Sequence, residues 1–140
     1  MSNPPRAVLD TNVLISGLLK SPNCRRILDQ LSHQAFCLIS SDALHAELLD
    51  VLGRPKCRLF VDDEACVRLL RLLKSQALTI EPSVSVTDSP DPKDAFILSL
   101  VREAKPDVLV TGDRQLLALR SYGGVKILSP KEFLTWLSER

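Results

Sequence analysis

The chain has 140 residues, 45% of them hydrophobic and 25% charged. This is the composition of a single globular domain over residues 1–140, able to bury about two-thirds of its unfolded surface without staples. Lys plus Arg number 18 and Asp plus Glu 17, a formal charge of +1. That balance excludes a protein that holds nucleic acid by bulk charge alone, though not a local basic rim around an acidic pocket.

No apolar run approaches the ~18 residues of a membrane span. The opening residues lack the apolar core of a signal peptide, so a cytoplasmic location is expected. Cys24, Cys37, Cys57 and Cys66 include no C-x-x-C pair, and they read as free thiols of a reducing compartment. His33 and His45 share no metal-ligand spacing and read as helix-surface residues.

Arg6 to Leu9 predicts a first strand, followed by the turn and cap formers Asp10-Thr11-Asn12. Ser21-Pro22 opens a helix running to about Gln34, with Ser as N-cap and Pro at the first helical position. Ala35 to Ile39 predicts a second strand. Ser40-Ser41-Asp42 then caps a helix over 43–52 whose stripe is Leu44, Leu48 and Val51. Gly53 and Pro55 end it. Asp62 or Asp63 caps the next helix, with the stripe Cys66, Leu69, Leu70 and Leu73.

Leu78 to Ile80 predicts a third, weaker strand, and Glu81 to Pro92 a structureless stretch. A helix starting at Asp91-Pro92-Lys93-Asp94 runs through about Ala104, and Val108 to Val110 is a fourth strand. A helix from about Arg114 to Arg120 is broken by Gly123-Gly124, and Val125 to Leu128 is a fifth strand. Ser129-Pro130-Lys131-Glu132 forms a capping box for the last helix. Alternating strands and helices, with strands that are continuous apolar runs, predict an α/β/α sandwich around a mainly parallel sheet of about five strands.

In such sheets ligands bind at the carboxyl ends of the strands. Asp10 ends strand one and Asp113 follows strand four, while Asp94 opens the helix leading into strand four. Glu47 borders the buried stripe of its helix, where an acid is costly without a partner. If the sheet gathers these four, they need a counter-charge, and no Lys or Arg occupies a matching strand end. Oxygen-only ligands select a hard cation, Mg²⁺ or Mn²⁺, which assists phosphodiester hydrolysis. Simpler roles exist as well. Asp10 and Asp113 can cap the helices after them, and Asp91 fits an N-cap with Asp94 completing a capping box.

The residues Val8-Leu9-Asp10-Thr11-Asn12-Val13-Leu14 resemble the opening motif of PIN-domain nucleases. Leu44 to Leu52 with Arg54-Pro55-Lys56 resembles the helix that carries that family's Glu. Asp91-Pro92-Lys93-Asp94, and Val110-Thr111-Gly112-Asp113 with Leu116-Leu117, resemble its third and fourth acidic motifs. The similarity spans essentially the whole chain and is closest to the toxin subgroup of bacterial toxin–antitoxin pairs. It implies a Mg²⁺- or Mn²⁺-dependent endoribonuclease, commonly a homodimer, with RNA as substrate and an antitoxin as partner. It also implies an acidic site of Asp10, Glu47, Asp94 and Asp113, supported by Asn12 and Thr111. Relatives often carry a denser Asp run at the third motif. Here either Asp91 or Asp94 can face the metal, and the pattern Phe96-Ile97, Leu100 favours Asp94.

Arg54, Lys56, Arg58 and Arg114 are candidates for phosphate contacts, against the simpler reading of solvated surface charge. The few aromatics fall in apolar patterns, so base stacking is not an evident recognition mode. Two rival readings remain. A non-catalytic module of the same fold could bind RNA or a partner. An aspartate-nucleophile phosphohydrolase would use Asp10, but it calls for D-x-D where this chain has Asn12.

Overall fold

The computed structural model describes residues 3–83, 89 and 94–140; Asp91 and most of the segment from Glu81 to Pro92 lie outside the described residues. Six strands form one sheet in the order β3-β2-β1-β4-β6-β5. They are β1 (Arg6–Leu9), β2 (Cys37–Ser40), β3 (Ala77–Thr79), β4 (Val108–Val110), β5 (Ser121–Tyr122) and β6 (Val125–Leu128). All pairings are parallel except that of β5 with β6. The helices are α1 (Thr11–Leu18), α2 (Pro22–Ser32), α3 (Asp42–Leu52), α4 (Pro55–Arg58), α5 (Asp63–Gln76), α6 (Ala95–Ala104), α7 (Arg114–Leu119) and α8 (Pro130–Ser138).

Side chains alternate across a strand, so each strand feeds both faces of the sheet. Ala7, Leu9, Leu38, Val108 and Val110 pack into one core with residues of α1, α2, α5 and α8. Val8, Ile39, Leu109 and Ile127 pack into the other with residues of α6 and α7. The result is the expected three-layer sandwich. Among the helices of the described residues only α3 serves both cores, with Leu44 in one and Leu48 and Leu52 in the other. It therefore lies across the end of the sheet.

Local sequence explains most boundaries. Ser21, Ser41 and Asp62 each accept a hydrogen bond from a backbone N–H of the helix they cap. Ser129 and Glu132 form the reciprocal capping box. Two helices escaped the sequence pattern. Helix α1 is buried on several sides, at Thr11, Val13, Leu14, Ile15 and Gly17, so it shows no single apolar stripe. A Cβ on Gly17 would stand 2.6 Å from Leu28 Cδ1, which marks how closely α1 and α2 approach. Helix α4, at four residues, is too short to show a period. The chain thus turns again after Gly53 where a plain stop was expected.

Strand β5 is the other addition. Gly123 and Gly124 do not break α7, which already ends at Leu119. They form the two-residue hairpin between Tyr122 and Val125, with φ of +57° and +83°. Positive φ at both central positions suits the twist of a tight hairpin and selects glycine. After β3 the chain is tied to its neighbours by side-chain hydrogen bonds in both directions. Glu81 Oε1 accepts from Asp42 N at 2.8 Å, and Glu103 Oε1 accepts from Ser83 N and Oγ.

Phe133 is fully buried, edge-on to Phe36 at 5.1 Å and stacked on Trp136 at 6.0 Å. Phe133→Ala should cost about 3–5 kcal/mol in urea unfolding. Leu59→Ala, at a side chain 79% exposed, should stay within about 0.5 kcal/mol of the parent. Equal losses at the two positions would contradict this core.

Candidate active site

The strand order contains one reversal. From β1 the chain builds outward through β2 and β3, then crosses back to lay β4 on the other side of β1. Crossovers diverge at that point, so a crevice opens between the carboxyl ends of β1 and β4. The residues leaving those ends are Asp10 and Thr111.

The two are locked together. Asp10 N donates to Val110 O at 2.9 Å, which extends the β1–β4 pairing to the aspartate itself. Thr111 Oγ1 donates to Asp10 Oδ2 at 2.7 Å and accepts from Asp113 N at 3.0 Å. Thr111 is 0% exposed and Asp10 8%. Asp10 occupies the N-cap position of α1 without capping it through its side chain. Asp113 does cap, its Oδ1 accepting from Gln115 N at 2.8 Å. The structural alternative raised from sequence therefore holds for one of these aspartates and not the other.

A carboxylate this enclosed is penalised in its charged form. Burial pushes the Asp10 carboxyl above its ordinary value, and the negative charges of Glu47 and Asp113 push the same way. Hydrogen bonds from Thr111 and the Thr11 backbone offset part of this. The structure thus brings Glu47 and Asp113 within electrostatic reach of Asp10. Asp94 is the N-cap residue of α6, with its Oδ2 shielded from water. Because α6 leads into β4, which runs parallel to β1, its start lies toward the carboxyl ends of the strands. The expected capping box with Asp91 lies outside the described residues. Among those residues, no three His, Cys, Asp or Glu side chains close into a ligand set for a metal ion. Asp10 and the two acids that act on it offer oxygen-only chemistry that suits a hard divalent cation.

The supporting and cationic candidates divide. Asn12 is exposed on the first turn of α1, and Arg114 is exposed directly after Asp113. Arg54 pairs with Asp50 at 2.8 Å and Arg58 with Asp63 at 2.9 Å, both on the surface. Arg54 and Lys56 border a shallow groove with Phe60, Val51 and Ile15. His33 and His45 are exposed, as expected, and the cysteines are free thiols. Sequence reasoning passed over Ser40 and Thr79, which also end apolar strands at this edge. The signal that marked Asp10 and Thr111, a polar residue closing an apolar run, was present at Ser40 but not at Thr79, which Ile80 follows.

A family model described as PIN domain matches residues 6–115. The fold is similar to the crystal structure of PAE2754 from Pyrobaculum aerophilum, at TM-score 0.65 and 23% identity over 98% of this chain and 92% of that one. It is also similar to VapBC2 from Rickettsia felis bound to a DNA fragment from their promoter, at TM-score 0.59 and 15% identity over 89% of this chain and 98% of that one. No curated protein sequence matches significantly.

The raised Asp10 gives stability a definite pH dependence. An acid that holds its proton more tightly when folded contributes fully below the ordinary aspartate value of 3.8, and that contribution is lost as pH rises through the raised value. In EDTA at neutral pH, Asp10→Asn should therefore melt roughly 3 °C above the parent. The gap should narrow as pH falls toward 4, about the ordinary aspartate value. A lower melting temperature for Asp10→Asn at neutral pH would show that the charge is not strained.

Proposed function

From the premise that the chain belongs to the PIN-domain family, we propose that it is a divalent-metal-dependent endoribonuclease, the toxin of a toxin–antitoxin pair. The observation that carries this reading is Asp10. It is buried at the strand-order reversal, fixed by Thr111, and lies in the field of Glu47 and Asp113. Structural roles leave such a carboxylate a liability, whereas a cation bound beside it would turn the liability into a ligand.

Asp10, Glu47 and Asp113 would hold Mg²⁺ or Mn²⁺, with Asp94 joining from the start of α6. The ion, when bound, supplies positive charge against the developing charge of a phosphodiester under hydrolysis. The chain's own residues do the rest. Thr111 aims the Asp10 carboxylate by donating to its Oδ2. The Asp113 backbone N–H fixes that hydroxyl in turn. Asn12 and Arg114, exposed on the helices that start at the crevice, can meet the RNA backbone on either side. Lys56 lies farther along the Glu47 side as a further phosphate contact.

The free thiols of all the cysteines agree with a reducing cytoplasm. Among the described residues no helix is long and apolar enough to cross a membrane. An antitoxin and a second copy of the chain are the expected partners. The Rickettsia felis complex, a toxin–antitoxin assembly on its promoter DNA, supports the first.

The test is cleavage of single-stranded RNA by the purified protein. Mg²⁺ or Mn²⁺ should support it and EDTA should stop it. Asp10→Asn and Asp113→Asn should each lower the rate by at least about a hundredfold, with native far-ultraviolet circular dichroism. Full activity in both variants, or cleavage that is indifferent to EDTA, would overturn the assignment.

A further inference from the structure

Beside the carboxylates the sheet edge holds a second feature that the hydrolytic chemistry does not use. A cavity of about 400 Å³ opens between α1, α3, α5 and the carboxyl ends of β1, β2 and β3. It is continuous with the site through Thr11, the neighbour of Asp10, and through α3, whose Leu44 and Leu48 line it and whose Glu47 acts on Asp10. Its volume falls within the ~300–1,000 Å³ of small-ligand sites.

The lining has two characters. The inner side is apolar and rigid, formed by core leucines including Leu14, Leu48 and Leu73. The rim is polar, with Ser40, Ser41, Asp42, His45, Lys74 and Thr79, so that one carboxylate and one ammonium face the mouth together with the neutral groups. Serine and threonine hydroxyls and the imidazole each donate and accept, which suits the mixed donor–acceptor edge of a nucleobase. Lys74 forms no ion pair with another described residue, and it is exposed at the mouth. Its ammonium can meet a phosphate as a point charge. No aromatic residue lines the cavity. A base would therefore be held between aliphatic walls and read at its edge, a mode open to nucleotides splayed out of a single strand.

The geometry points to a nucleotide subsite: this cavity takes the nucleotide adjoining the scissile phosphate of single-stranded RNA and so sets the sequence preference of cleavage. The inference rests on the nuclease reading above for its substrate, but not for its test.

Adenosine, guanosine, cytidine and uridine 5′-monophosphates, titrated into isotope-labelled protein in EDTA, provide that test by nuclear magnetic resonance. At least one should shift the backbone amide signals of Ser40, His45 and Thr79. The double variant His45→Ala, Lys74→Ala, at exposed positions, should weaken this binding by about tenfold or more. Ala77→Leu, which fills the cavity, should abolish it. In cleavage assays the double variant should flatten the preference among oligonucleotides that differ only beside the cut. Shifts that are absent, or confined elsewhere, overturn the subsite even if RNA is cleaved. A protein that cleaves no RNA yet keeps the localised shifts overturns the nuclease reading and leaves the subsite standing.

Discussion

The side-chain hydrogen bond from the Thr111 hydroxyl to Asp10 ties the end of the first strand to the end of the fourth, at the point where the chain reverses its direction of growth. Placing a carboxylate there is expensive, because both strands are buried and Glu47 and Asp113 add their own negative charge. The fold tolerates it by surrounding the group with donors it cannot lose: Thr111 Oγ1 and the Thr11 amide. Everything else at this edge is arranged around that constraint. The strand ends are polar where the strands themselves are apolar, and α3 lies across the opening so that one helix seals two cores and presents Glu47.

This arrangement separates two tasks along one edge of the sheet. The side between β1 and β4 concentrates oxygen ligands and negative potential. The side between β1 and β3 offers an apolar recess whose rim mixes hydroxyls, the His45 imidazole, the Lys74 ammonium and the Asp42 carboxylate. A substrate with a charged backbone and flat, hydrogen-bonding bases has need of both environments in succession. Within two turns α3 places His45 and Leu48 on the recess and Glu47 in the field of Asp10.

Much of this was legible in the sequence for a physical reason. Strands buried on both faces must be continuous apolar runs, so Val108 to Val110 and Arg6 to Leu9 announced themselves, and the polar residues that ended them marked the sheet edge. Caps such as Ser21, Ser41 and Ser129 are local chemistry and were equally readable. What escaped was either too short or too enclosed to leave a period, as with α4, α1 and the two-residue β5. The site was readable as residue types but not as geometry. Asp10 and Asp113 have the same cap-forming chemistry in sequence. Only the tertiary partner Thr111, which enters from another strand, separates the carboxylate held for the cleft from the one that caps its helix.

The Asp10–Thr111 link spans 101 positions of the chain. During synthesis the ribosome releases the N-terminal part first, and β1, β2 and β3 can associate as soon as they emerge. The crevice cannot exist until β4 has also left the exit tunnel and threaded beside β1. A nascent polypeptide of this kind thus carries an incomplete edge, with Asp10 lacking its hydroxyl partner, until β4 and Thr111 have emerged.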